Sequence, residues 1–288
     1  MKRVVFLSVI LGLVLGGCNK PDPNDDIQQV VIFINAKSLS NSVLKSTASE
    51  AEKAIPKLII YSIDVQNNVE KLQVFQNPSL DDGIALVVSR EIKAFYAIAN
   101  PSAEIEAANP TTVTALKDLI VSFSSAPQSP FIMSGEANIG SSKYVNIELV
   151  RAVAKIEITG LNDFVIQSVT VRNTPDRGFV FERELPPSAV RVNYPAINVA
   201  TPALYVAENS SIYNPTVFRV TGTFDGKQAS YDVVLKIGNN NIAIVRNTHY
   251  QVSISPITED DYEITITIPD WNFVKTDDHI IPDENFQN

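Results

Sequence analysis

The sequence predicts an all-β protein, arranged as two β-sandwiches in tandem with one short helix in the first. Three observations carry this expectation. Runs of four to eight residues rich in Val, Ile, Thr, Tyr and Phe recur along the chain, separated by polar turns. Only one segment repeats apolar residues at helical spacing, so strands do not alternate with helices as a parallel α/β sheet requires. The chain has 288 residues, 45% hydrophobic and 19% charged, enough to fill two cores of about 120–130 residues each and unlike the composition of a disordered chain.

From the start, Met1-Lys2-Arg3 is followed by the apolar run Val4–Leu15 and then Gly16-Gly17-Cys18. A run of twelve apolar residues is too short to cross a bilayer, which takes about 20 residues, and has the length of a secretory signal. Leu15-Gly16-Gly17-Cys18 resembles a bacterial lipobox, in which small residues fit the peptidase cleft and the cysteine thiol takes the lipid. Residues 1–17 therefore read as a signal peptide and Cys18, the single cysteine, as the lipidation site. Residues 18–28, with two prolines and three aspartates, cannot bury apolar surface and read as a tether. Loss of Lys2 and Arg3 with the signal takes the formal charge from −9 to −11.

The body divides by expectation into 29–147 and 148–288, because Gly140-Ser141-Ser142-Lys143 is a turn-rich break between strand-rich blocks. Gln29–Asn35, Leu58–Val65, Ile84–Val88 and Ala94–Ala99 are strands of the first part. Thr111–Phe123 is its helix, with Val113, Leu116, Leu119, Ile120 and Phe123 at spacings of three and four and a threonine to cap it. Ala152–Ile158, Phe164–Val171, Val217–Phe224, Ala229–Lys236, Ile242–Val245 and Tyr250–Ile254 are strands of the second. Asp225-Gly226 between two of them signals a tight hairpin. Tyr262–Ile268 alternates with period two, placing Tyr262, Ile264, Ile266 and Ile268 on one face.

Composition excludes several functions. One thiol makes no internal disulfide, and two histidines with one cysteine make no Cys/His zinc cluster. An acidic chain is poorly suited to nucleic acid, whose phosphates need a basic surface. There is no nucleophile elbow, no phosphate-binding glycine loop and no His-Glu-x-x-His pair. His249 reads as a strand histidine, and Asp260-Asp261 and Asp277-Asp278 as solvated turn charges without the spacing of a calcium loop. Trp271 reads as a core plug. The chain is thus expected to be no enzyme and to hold no metal or cofactor.

A set of short segments, in order, resembles the Bacteroidetes fimbrillins, the type V pilus subunits. They are Phe95–Pro101, Phe131–Gly135, Arg151–Ile156, Leu204–Asn209, Arg246–Tyr250 and Asp270-Trp271. The resemblance covers nearly the whole chain after the signal. It implies transthyretin-like sandwiches, export as an outer-membrane lipoprotein, and assembly with other fimbrial subunits by donor-strand addition, with a part in adhesion to a host ligand. On that logic Gln29–Asn35, with Val30, Ile32 and Ile34, is the plug strand. Ala36–Lys57 is the cleavable loop, with Lys45 the candidate site because the chain has no arginine between Arg3 and Arg90. The donor lies in Trp271–Ile281, with Trp271 and Phe273. Two other readings compete: an uncut subunit anchoring the fimbria through its lipid, and a surface glycan-binding lipoprotein using Trp271 as its aromatic platform.

Overall fold

The computed structural model describes residues 26–36, 45–183, 188–198, 203–258 and 260–272. Cys18 and Phe273 lie outside them. The chain begins with β1 (Ile27–Ala36), β2 (Lys45–Thr47), α1 (Glu50–Lys53), β3 (Lys57–Asp64), β4 (Val69–Gln76), β5 (Ile84–Ser89), β6 (Ile92–Ala99), α2 (Ala103–Ala107), α3 (Val113–Lys117), β7 (Ile120–Ser122), β8 (Met133–Asn138) and β9 (Tyr144–Arg151). It continues with β10 (Val153–Gly160), β11 (Val165–Arg172), β12 (Thr174–Pro175), β13 (Arg177–Phe179), β14 (Arg191–Val192), β15 (Ala203–Ala207), β16 (Val217–Phe224), β17 (Lys227–Val233), β18 (Lys236–Ile237), β19 (Asn240–Asn241), β20 (His249–Pro256), β21 (Tyr262–Thr267) and β22 (Asp270–Asn272). The protein is all-β, as expected.

One seven-stranded sheet has the order β4-β3-β6-β8-β9-β1-β5. A four-stranded sheet, β15-β10-β20-β21, faces a three-stranded sheet, β11-β16-β17, and Ile156, Ile158, Val169, Phe218, Val220 and Tyr250 meet in the core they enclose. Most pairings are antiparallel, but β1–β9, β10–β20 and β2–β22 are parallel.

The central strands of the seven-stranded sheet explain their own sequences. Leu58 and Ile60 of β3, with Phe95 and Ala97 of β6, enter one core. Ile59, Tyr61 and Ile63, with Ala94, Tyr96 and Ile98, enter another on the opposite face. A strand buried on both faces reads as an unbroken apolar run, as Leu-Ile-Ile-Tyr and Ala-Phe-Tyr-Ala-Ile-Ala do. Each of the Leu, Ile and Phe side chains among them contributes about 1.5–3 kcal/mol by leaving water.

The β16–β17 hairpin turns at Asp225 and Gly226, whose φ values of 51° and 73° suit the expected tight turn. In β21, Tyr262, Ile264 and Ile266 are half-buried against the second core while Glu263 and Thr265 are exposed. Ile268, expected on the same face, lies just past the strand and is exposed.

Several elements differ from expectation. The helix is shorter: Thr112 caps α3 through the Ala115 N–H, but the helix ends at Lys117. Ile120–Ser122 then pairs with β13, and Val121 and Phe123 point into a core while Ser122 is exposed. Alternate apolar positions therefore win over helical spacing, in keeping with the β-branched Ile120-Val121 pair. Two further short helices, α1 and α2, were not anticipated. Ile242–Val245 is not a strand and contributes a single bridge, Asn209 to Ile244. At the expected 147/148 division, β9 runs on without a break to Arg151, so the chain leaves the first sheet at Arg151–Val153.

Candidate functional site

β1 occupies a slot in the seven-stranded sheet. It pairs in parallel with β9, from Val31 opposite Tyr144 to Ala36 opposite Leu149, and antiparallel with β5, from Ile27 opposite Ser89 to Ile32 opposite Ile84. Val30, Ile32 and Ile34 are buried and share a core with Ile84, Val88, Val145, Ile147 and Leu149. β5 has no sheet neighbour other than β1 among the described residues. On its other side β9 meets β8 at only two register positions. Taking β1 away would leave an apolar trough edged by unpaired backbone N–H and C=O groups, an arrangement that attracts another strand.

The segment after β1 is tied to the end of the described chain. β2 and β22 pair in parallel, Lys45 opposite Asp270, Ser46 opposite Trp271 and Thr47 opposite Asn272. The Lys45 backbone therefore lies within a strand ladder. Ala48, just beyond, is buried.

Around this ladder a buried clamp gathers distant segments. Trp271 is 1% exposed. It stacks on Tyr205, with centroids 6.0 Å apart and planes at 21°, and meets Phe131 edge-on at 6.0 Å. The Arg151 guanidinium lies over the indole at 4.4 Å. Arg151, with no exposed surface, donates to the Glu52 carbonyl at 3.4 Å, to Asn247 Oδ1 at 3.0 Å and to the Trp271 carbonyl at 3.3 Å. Burial brings its pKa down to about 10, so it stays cationic at neutral pH.

Glu52 sits beside it, 2% exposed. The carboxylate accepts the Ser49 N–H at 2.5 Å and the Tyr205 hydroxyl at 2.8 Å, and pairs with Lys155 at 3.1 Å. Burial alone would raise its pKa; these hydrogen bonds and the lysine outweigh that, and it is held below the ordinary value. His249, 1% exposed, lies 3.1 Å from Glu157 Oε2. Its pKa is lowered, first by burial and then by Lys155, against the pull of Glu157.

A second buried arginine works alongside. Arg246 pairs with Glu208 and donates to the carbonyls of Phe179 at 2.7 Å and Val180 at 3.1 Å. Asn247 is left-handed at φ 56°, and its side-chain oxygen is the one that meets Arg151. Asn100 is left-handed at φ 53° and ties the Ala54 and Phe131 carbonyls together. The short segments singled out in sequence thus converge on one buried polar network where the two sheet systems meet.

The expected site residues separate into two places. Val30, Ile32 and Ile34 fill one core, whereas Trp271 fills the other, across the β3 and β6 strands. Trp271 is a buried plug and offers no exposed ring to a sugar. Sequence reasoning did not single out Glu52, although Ser49-x-x-Glu52 is a readable capping box.

Among the described residues no group of three or more His, Cys, Asp or Glu is placed to hold a metal. None of their helices is long and apolar enough to cross a membrane. A cleft of about 530 Å³ beside β8 is lined by Glu136, Glu148, Glu182 and Arg183; Glu136 is already paired with Lys117 and Arg183 with Asp118.

This architecture is an all-β fold that solved structures share. Its fold is shared with a candidate cell adhesion protein of Bacteroides eggerthii, at 14% identity and a TM-score of 0.62, covering 88% of this chain and 98% of that one. The tip fimbrial protein Mfa3 of Porphyromonas gingivalis matches at 16% identity and 0.56, covering 85% and 100%. A fimbrial assembly protein of Parabacteroides distasonis matches at 11% and 0.56, covering 84% and 98%. No protein-family model and no curated protein matches the chain.

Proposed function

We propose that this chain is a non-enzymatic subunit of a cell-surface fimbria, joined to other subunits by strand addition at the β1 slot. The observation that carries the reading is the position of β1, which among the described residues is the one sheet neighbour of β5 and completes the pairing of β9. An incoming extended segment would gain main-chain hydrogen bonds on both sides and fill the Val30, Ile32 and Ile34 positions with alternate side chains. Repeated, such a head-to-tail contact gives a filament. The shared fold with a tip fimbrial protein and a fimbrial assembly protein supports it.

On this reading residues 1–17 direct export and Cys18 carries lipid into the outer membrane. The two sandwiches are domains dividing at Arg151–Ala152, four residues past the break expected from sequence. Trp271 is the root of the donor, retained in its own clamp, and the donor runs on from Phe273. A host ligand would be met on the exposed surface of the assembled fimbria.

One observation favours the anchor version, in which the chain is not cut and keeps its lipid. A protease needs an extended segment it can draw into its cleft, whereas the Lys45 backbone is committed to the pairing with β22. Intact mass and N-terminal sequencing of the surface form decide between the two. An anchor begins at acylated Cys18. A stalk subunit begins near Ser46 and runs in gels as a ladder of multimers that resist detergent. A monomer that never joins other subunits in either form refutes the fimbrial reading.

A further inference from the structure

We propose that the Asn209–Pro215 loop and the adjoining β18–β19 turn form a binding surface for a neutral glycan, with Tyr213 as the stacking platform. The loop presents Ile212 and Tyr213 outward, 41% and 94% exposed, and Ile237 in the adjoining turn is 63% exposed. An apolar tip on an ordinary loop would be free to fold back. This one is held out by its own polar residues.

Buried Asn209 is the hub: its Oδ1 accepts the Ser211 N–H at 3.1 Å and Arg191 at 3.3 Å, while its Nδ2 donates to the Asn214 carbonyl and to Thr216 Oγ1, both at 3.1 Å. Ser211 Oγ accepts the Asn214 N–H at 3.0 Å, and Asn173 reaches Asn214 Oδ1 at 2.6 Å and the Pro215 carbonyl at 2.8 Å. Asn241 donates to the Ile212 carbonyl at 2.9 Å, which draws the β18–β19 turn against the tip. A braced aromatic loses little freedom when it binds, and this is how exposed anchors gain affinity.

The chemistry around the ring selects the partner. Two or three apolar side chains fall far short of the roughly 20–30 residues that a stable protein interface gathers on each partner. They match the apolar face of one sugar ring. Ser210, Asn239, Asn240 and the Asn214 amide nitrogen are exposed in the same two segments and supply amide and hydroxyl groups to meet sugar hydroxyls. Glu208 is engaged by Arg246, which leaves Lys236 as the exposed charge of the two segments. Anionic sugars would need more.

The test is an array of neutral, sialylated and sulfated glycans probed with the full-length protein, followed by calorimetry with the best neutral binder. The expected result is binding to neutral glycans that falls about tenfold or more in Tyr213→Ala and is largely kept in Tyr213→Phe, as stacking requires, with thermal unfolding unchanged in both. Three results would overturn it: no neutral glycan bound, binding indifferent to Tyr213→Ala, or preference for anionic glycans. Crosslinking between copies that is lost in Tyr213→Ala would make the loop a protein contact and equally refute the proposal. The site is independent of strand addition, so Tyr213→Ala leaves multimer formation intact and the two readings stand or fall separately.

Discussion

Arg151 shows how much a single side chain can hold. It bridges carbonyls from the segment after β1 and from β22 while lying on the Trp271 ring. Arg151→Ala would take the guanidinium donor from the buried Glu52 and Trp271 carbonyls and leave Asn247 Oδ1 only the residue-151 backbone N–H, and is expected to lower stability by about 3 kcal/mol in urea unfolding. Arg151→Lys keeps the charge but loses the planar fork, and should recover only part of the loss. Trp271→Ala should cost about 3–5 kcal/mol through the cavity it leaves. The buried titratable groups give a pH signature. His249 has a lowered folded pKa, so below about pH 6.5 the unfolded chain takes up a proton that the folded chain refuses, and stability falls with pH. Glu52, also lowered, adds a further loss as pH drops below about 4.5 toward its folded pKa. Stability measured against pH should flatten just below pH 6.5 in His249→Gln and below pH 4.5 in Glu52→Gln.

At the scale of elements, what the sequence revealed depended on how locally each element is determined. The β16–β17 hairpin was legible because its turn chemistry sits in two adjacent residues. Nothing lies within 4 Å of a Cβ built on Gly226, yet its φ is +73°. Gly226→Val should therefore lower stability by about 1–2 kcal/mol through backbone strain alone. β3 and β6 were legible because burial on both faces leaves an unmixed apolar run. β4, Val-Glu-Lys-Leu-Gln-Val-Phe-Gln, was missed because an edge strand mixes polar and apolar residues without a clean period. The expected helix runs too far because Leu119 and Phe123, four apart, fit helical spacing and also alternate through Val121 as in a strand, and only the pairing with β13 decides. For β1, alternation sets the energetics: Ile32→Ala should cost about 2–4 kcal/mol in denaturant unfolding, and Val31→Ala, on the half-buried face, under about 1 kcal/mol.

For the whole molecule, the expected consequence of lipidation is simple to check. Cys18→Ala should move the protein from the membrane fraction to the soluble fraction, with loss of labelling by radioactive fatty acid, because a single change removes the attachment atom. Strand-forming composition and turn residues made the all-β class readable from the chain alone. These are local properties, set by side-chain type and spacing along the backbone. The β1 slot and the clamp were not readable in this way. β1 is flanked by strands from distant parts of the chain, and Arg151, Glu52, Tyr205, Asn247 and Trp271 come from five separate segments. Which charge is buried, and which carbonyl it must satisfy, is fixed only when the sheets close around them. The same holds for Tyr213 and Trp271. As isolated aromatics in sequence the two look alike; the fold alone buries one and holds the other out in solvent.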